Sequence, residues 1–156
     1  MKIKGRHRDC LNTAGVINVA LNDAGNILEG KNFVTLERII LWNPEVILVN
    51  EPEAFKLIKE DRKWSSIEAV INNRVYQMPI ALSRWGHPGS IETPLAIMWT
   101  AKKIYPALFP DIDMEKETMK YYKTFFNYDL PEAKVRAILN GELVRKPKGK
   151  ERGQGF

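Results

Sequence analysis

The chain has 156 residues, 44% of them hydrophobic and 28% charged, with a formal net charge of +5. That length sets a single domain as the expectation, and a compact fold of this size buries about 70% of its unfolded surface. The composition is ordinary for a soluble globular domain, and the single Cys10 excludes an internal disulfide and a multi-cysteine zinc site.

Residues 1–8 (MKIKGRHR) carry Lys2, Lys4, Arg6 and Arg8 and no acid, forming a basic N-terminal segment. No apolar stretch of signal-peptide type follows Met1. Arg8-Asp9 before Cys10 lacks the small apolar residues of a lipoprotein site, so Cys10 reads as an ordinary thiol. As written, the chain is expected to stay in the cytoplasm. Residues 9–14 read as the end of a helix stopped by Gly15, since glycine tolerates the left-handed backbone that ends helices. Residues 16–20 (VINVA) read as a short strand, and residues 21–33, rich in Asn, Asp and Gly, as a loop.

Thr35 is placed to cap a helix over 36–42, its hydroxyl accepting a free N–H of the first turn. Pro44 ends that helix, because the residue before a proline avoids the α region. Residues 46–49 (VILV) are apolar on both faces, as a strand inside a parallel sheet should be. Residues 53–59 read as a short helix, and another starts at Ser65 or Ser66 and stops before Asn72-Asn73. Residues 74–78 (RVYQM) alternate and read as a strand limited by Pro79. A loop over 80–90 (IALSRWGHPGS) follows. Ser90 or Thr93 then caps a long helix reaching Ile104, with Pro94 tolerated in its first turn. Asp113 caps a helix over 114–126. Asp129 caps a last one, with Pro131 in its first turn and Asn140-Gly141 at its end.

Residues 145–156 hold five positive charges and Glu151. Each end of the chain therefore carries +4, and the body, 9–144, is left at −3. Such ends read as solvated termini, the last one a basic disordered tail, whereas nucleic-acid-binding domains carry their charge on a folded face. No apolar run approaches the ~18 residues needed to span a membrane, and there is no internal repeat.

Strand, helix, strand, helix, strand and then helices alone predict an α/β fold. It is a three-layer sandwich with a small, mainly parallel sheet flanked by helices and ending in a helical segment. Ligands of parallel sheets bind beyond the carboxyl ends of the strands, which singles out residues 50–54 and 80–92. In the longer loop, Arg84 offers a fixed fork of donors for a carboxylate, catecholate or oxyanion. Trp85 can stack on a flat ligand, or pack beneath its own loop. His87 can meet a metal or an anion, though no second metal ligand lies near it in sequence. Ser83 joins them as a ligand-binding candidate. Glu92 reads as a first-turn residue favoured by the helix dipole, and so does Glu37. Trp42, Trp64, Trp99, Tyr105, Tyr121, Tyr122, Phe125 and Phe126 read as core, from helical spacing and apolar neighbours. The chain has no G-x-S-x-G, P-loop, G-x-G-x-x-G or clustered metal ligands, so an enzyme is not expected.

Four segments carry a resemblance: AGVINVA, VTLERIILWNPEVILV, DRKWSSIEAVINNRVYQMP, and a long helix ending in KKIYPALFPDID and followed by YYKTFFNYDL. In this order, over about residues 10–142, the chain resembles the C-terminal lobe of the class III periplasmic binding proteins. These serve ABC importers of ferric siderophores, haem and cobalamin, and the last pair resembles the iron(III)-compound subgroup. The resemblance implies that 9–144 is one lobe, with no cofactor and an iron(III) complex or other metal chelate as ligand. It implies ligand contacts from the 80–92 loop, and docking of Glu37 in the T-L-E-R motif into an arginine pocket on the permease. The family sometimes contacts ligand near Asn32 and Phe33, but no motif there matches. This length has no room for an N-terminal lobe and connecting helix, and MKIKGRHR stands where the family has a first strand. A separate N-terminal lobe is therefore an expected partner, and an exposed interlobe face is expected to self-associate. The family is periplasmic or membrane-anchored. Two other readings stay open: a truncated or frameshifted fragment without independent function, and a basic-tailed interaction or nucleic-acid-binding module. Nucleic acid is not the expected partner.

Overall fold

A computed structural model describes residues 11, 13–19, 34–87 and 89–142. The basic segment 1–8, Cys10, the loop with Asn32 and Phe33, and the tail 145–156 lie outside the described residues.

Helix α1 (Leu36–Trp42) begins where predicted: the Thr35 hydroxyl accepts the Arg38 N–H at 3.4 Å. It ends at Asn43, which turns left-handed (φ 42°), a conformation Asn tolerates better than most residues. The Asn43 side chain then accepts the Glu68 N–H at 2.8 Å, tying this turn to the start of a later helix. Strand β1 (Ile47–Val49) follows, then α2 (Pro52–Glu60), a single 3-10 turn (Arg62–Trp64), α3 (Glu68–Ile71) and strand β2 (Val75–Gln77). The serines at 65 and 66 therefore follow a tight turn rather than open a helix; Asp61 caps that turn through the Lys63 N–H.

β1 and β2 pair in parallel, Ile47 opposite Val75 and Val49 opposite Gln77. Among the described residues the sheet has these two strands. The strand expected over 16–20 is a correction: residues 16–18 have no regular structure. Gly15, at φ +76°, stops the preceding helical turn as predicted, and the Val16 N–H closes that turn on the Leu11 carbonyl at 2.9 Å. The backbone there closes the helix stop, and Ile17 is left 73% exposed.

Side chains alternate across the two strands, as a pleat requires. Ile47, Val49 and Val75 face a cluster with Ile58, Ile67 and Ala69, packed by Leu36, Ile39 and Phe55. Leu48 and Tyr76 face the opposite way, onto a larger cluster of Met78, Trp85, Leu95, Trp99, Met114, Tyr122, Val135 and Ile138. Helices α1–α3, the sheet, and the helices after it thus form three layers, the predicted α/β sandwich.

The second layer of helices is α4 (Thr93–Ile104), α5 (Met114–Phe126) and α6 (Glu132–Leu139). Asp113 caps α5 as expected, accepting from the Glu115 and Lys116 N–H groups at 3.0 and 3.2 Å. Its carboxyl is held below the usual carboxylate value, first by the Lys116 N–H. Asp129 does not cap α6. Pro131 takes that position, and Asp129 pairs with Lys123 at 2.7 Å. Gly141 (φ +70°) ends α6 as the sequence predicts, with the Glu142 N–H reaching back to the Ala137 carbonyl.

Of the aromatics read as core, Trp99 and Tyr122 are buried, and Trp64 packs against the smaller cluster. Phe125, 67% exposed, and Phe126 are not in the core. The buried stripe of α5 is Met114, Thr118 and Tyr122, at a spacing of four, and does not include Phe125 or Phe126. Tyr105 is also exposed, its hydroxyl donating to the Gly15 carbonyl at 2.7 Å.

Candidate functional site

The two parallel strands end side by side, which places residues 50–51 and the segment after Gln77 at one edge. After β1 the chain passes through Asn50 and Glu51 directly into α2. After β2 it takes a long path to Thr93, and that path is anchored from within. Ile80 and Arg84 form an antiparallel bridge around Leu82. The Trp85 N–H bonds to the Pro79 carbonyl at 3.0 Å, and the Ile80 N–H to the Ile138 carbonyl at 3.2 Å, holding the loop to α6. Gly86 sits at φ +77°, a conformation that strains any other residue, and a Cβ there would lie 2.8 Å from Met78 Cε and push that methyl aside.

The four loop residues read as ligand contacts separate into three kinds. Trp85 is fully buried in the larger cluster, so no face of its ring is open to stacking. Of the two readings the sequence left for it, the structure takes packing beneath its own loop. Ser83 turns inward: its N–H and hydroxyl donate to a Glu92 oxygen at 3.1 and 3.3 Å, and the hydroxyl lies 2.7 Å from that of Ser90. Arg84 and His87 face outward and are exposed.

Glu92 is the residue the sequence reading placed least well. It occupies the N-cap of α4 but makes no capping bond. Its side chain is fully buried and also accepts the Tyr122 hydroxyl from α5. A buried carboxyl is tolerated only when its oxygens are matched by donors; here Ser83 and Tyr122 supply them. Burial and the Glu92 bond push the Tyr122 phenol well above its ordinary value. Its neighbour Tyr121, whose hydroxyl donates to the Ile91 carbonyl, is raised too, by burial and then by the Glu92 charge. The signal that could have marked Glu92 is local, an acid between two hydroxyl residues at a helix start. Its partner in α5 lies thirty residues away, beyond any spacing rule.

Arg84 meets Glu51 with both arms of its fork, at 2.6 and 3.0 Å, across the gap between the two loops. The side chains are 48% and 49% exposed. The preceding residue, Asn50, has its amide oxygen buried without a hydrogen-bond partner. The arrangement presents a planar, five-donor cation at the carboxyl edge of the sheet, on a loop fixed by Trp85 and Glu92, with a carboxylate held against it. Such a fork matches carboxylate and oxyanion geometry. Leu82 and Ile91 of the same loop, and Phe125 and Phe126 of α5, are exposed apolar side chains. Among the described residues no three His, Cys, Asp or Glu side chains converge on a common point. Elsewhere, a cavity of about 430 Å³ lies between the end of α4 and the start of α5, lined by Lys102 and Asp113. Lys102 is turned to the Phe109 and Ile112 carbonyls, and Asp113 to its helix. It does not adjoin the strand ends.

Glu37 is exposed in the first turn of α1. The bonds to its carboxyl from its own backbone N–H and from the Thr35 hydroxyl lower its pKa, which keeps it charged at neutral pH. It stands on a different element from Arg84 and Glu51. No helix among the described residues is long and apolar enough to cross a membrane.

No family model matches the chain. The molybdate-binding protein MolA of Haemophilus influenzae is 36% identical over 109 residues, which are 69% of this chain and 31% of that protein. The solved structure of MolA bound to molybdate superimposes with a TM-score of 0.67, at 32% identity, over 81% of this chain and 38% of that one. An ABC transporter solute-binding protein of Sulfurospirillum deleyianum gives a TM-score of 0.68, at 30% identity, over 85% of this chain and 41% of that one. CeuE of Helicobacter pylori, solved as a nickel–histidine complex, gives 0.59 at 27% identity, over 84% and 41%. The chain spans about a third of the curated relative and about two fifths of the solved ones. Over the residues that match, the chain is a homologue of the periplasmic solute-binding proteins of ABC transporters, and it has the fold of part of such a protein.

Proposed function

We propose that this chain forms the C-terminal lobe of a periplasmic solute-binding device that delivers an anionic, metal-containing solute to an ABC permease. The observation that carries the reading is the outward Arg84 fork at the carboxyl edge of a parallel sheet, on a loop stiffened by buried Trp85 and Glu92. Anions are recognised there by charge and paired hydrogen bonds. Molybdate and an anionic ferric chelate, siderophore or haem carboxylate all offer such oxygens. The relative named for molybdate supports the oxyanion, and the family resemblance of the sequence supports the ferric complex. The device binds and releases; it turns nothing over, and it needs no cofactor.

In this reading, ligand lies between this lobe and a second one, and the exposed Leu82, Ile91, Phe125 and Phe126 belong to the face between them. Glu37 docks to the permease. A rim charge of this kind steers encounter and sets register more than it adds affinity. Reversing it, Glu37→Arg, is expected to slow uptake and leave solute affinity unchanged.

Calorimetric titration of the chain with sodium molybdate, a ferric catecholate and nickel(II) chloride tests the ligand class. Weak binding of one of the first two, weakened further by added salt, is expected, since one lobe covers only part of the ligand. Binding of nickel(II) alone would contradict the proposal.

A further inference from the structure

We infer that Glu51 is an internal competitor for the ligand fork, a carboxylate that occupies Arg84 until an anionic solute displaces it. The inference rests on the reading of Arg84 as the anion contact and adds a regulation of that site. Three observations carry it. Glu51 meets both arms of the fork, at 2.6 and 3.0 Å, the arrangement an oxyanion ligand would itself adopt. Glu51 stands at the N-cap of α2, where an acidic side chain would serve the free N–H groups of its own helix, yet it makes no capping bond. Its carboxylate has been drawn across to the other loop instead. Both side chains are about half exposed, so the pair is weak enough to open.

The chemistry follows from exchange. An anion entering the fork must first separate Glu51 from Arg84, and the apparent affinity is reduced by the fraction of molecules in which the fork is closed. For an exposed ion pair that reduction is roughly twofold to fivefold. A released Glu51 carboxylate lies one turn from the free N–H groups of α2, so opening leaves it a second set of partners. The fork is thereby neutralised when no ligand is present, and weak anions are held off. A ligand gains entry only if it makes better paired bonds than a carboxylate, or adds contacts that a carboxylate on a short side chain cannot make.

Titration of the wild-type chain, Glu51→Gln, Arg84→Gln and the double variant with sodium molybdate reads this out. Glu51→Gln is expected to bind about twofold to fivefold tighter than wild type. Arg84→Gln is expected to bind about tenfold or more weaker than wild type, and the double variant to match Arg84→Gln. If Arg84→Gln binds weakly and Glu51→Gln binds no better than wild type, the competitor idea is overturned and the anion site stands. If Arg84→Gln binds as wild type, the anion site itself falls, and the inference with it. A parallel titration with nickel(II) chloride guards the assignment: nickel binding that Glu51→Gln abolishes would make Glu51 a metal ligand and overturn the inference. Exchange of the Arg84 guanidinium protons with water, followed by NMR, needs no ligand. Glu51→Gln is expected to speed it, and an unchanged rate contradicts a closed fork.

Discussion

The two loops at the carboxyl edge of the sheet are built on opposite plans. The one after β1 is short, leads straight into α2 and contributes an exposed acid, Glu51. The one after β2 is long and, by length alone, would be a floppy excursion. It is instead filled from below: Trp85 enters the core, Glu92 gathers Ser83 and Tyr122, and Gly86 closes against Met78. Loop length is therefore a poor guide to stiffness. What decides it is how many side chains the loop commits inward, and here the commitment leaves Arg84 and His87 on its outer side.

Removing the inward commitments should loosen the long loop in proportion to what each one buries. Trp85→Ala empties the largest fully buried side chain of the loop and is expected to cost about 3–5 kcal/mol in urea unfolding. A cost below about 1 kcal/mol would mean that the loop is not held from beneath. Glu92→Ala leaves the Tyr122 hydroxyl and the Ser83 N–H without their acceptor, which should cost about 3 kcal/mol. Ser83→Ala removes one hydroxyl and leaves the Glu92–Tyr122 bond, for about 1 kcal/mol.

The Tyr122 phenol gives a pH signature for the same anchor. Its pKa in the folded chain lies above the ordinary value near 10, so the folded state keeps a proton that the unfolded state gives up. That contribution to stability is complete below about pH 10 and is lost as pH rises above it. Thermal melts from about pH 9 to about pH 11 should fall steeply for the wild type and less steeply for Tyr122→Phe. Equal slopes would place the alkaline transition elsewhere.

Most of the layer order was legible because its signals are local. Thr35 and Asp113 cap their helices, Gly15 and Gly141 end theirs, and the apolar run over 46–49 is the strand it looks like. The strand expected over 16–20 was not found, because β-branched residues alone do not make a strand when Val16 is bonded back to the preceding helical turn. The site was legible in position and only partly in content. The strand-end rule pointed to residues 50–54 and 80–92, where Glu51 and Arg84 stand. It could not tell that Arg84 faces out and its neighbour Trp85 faces in, since the turn at Gly86 sets that and sequence spacing does not. Nor could it pair Arg84 with Glu51 or Glu92 with Tyr122, contacts that only the parallel register and the packing of α5 create.

The most direct measurement is the affinity of the chain for molybdate with and without the Arg84 fork. Arg84→Gln should weaken binding about tenfold or more, the loss of a charge-assisted pair of hydrogen bonds, with Arg84→Lys in between because a single ammonium cannot reproduce the fork. Equal affinities for wild type and Arg84→Gln, both still folded by thermal melt, would contradict an anion site at the carboxyl edge of this sheet.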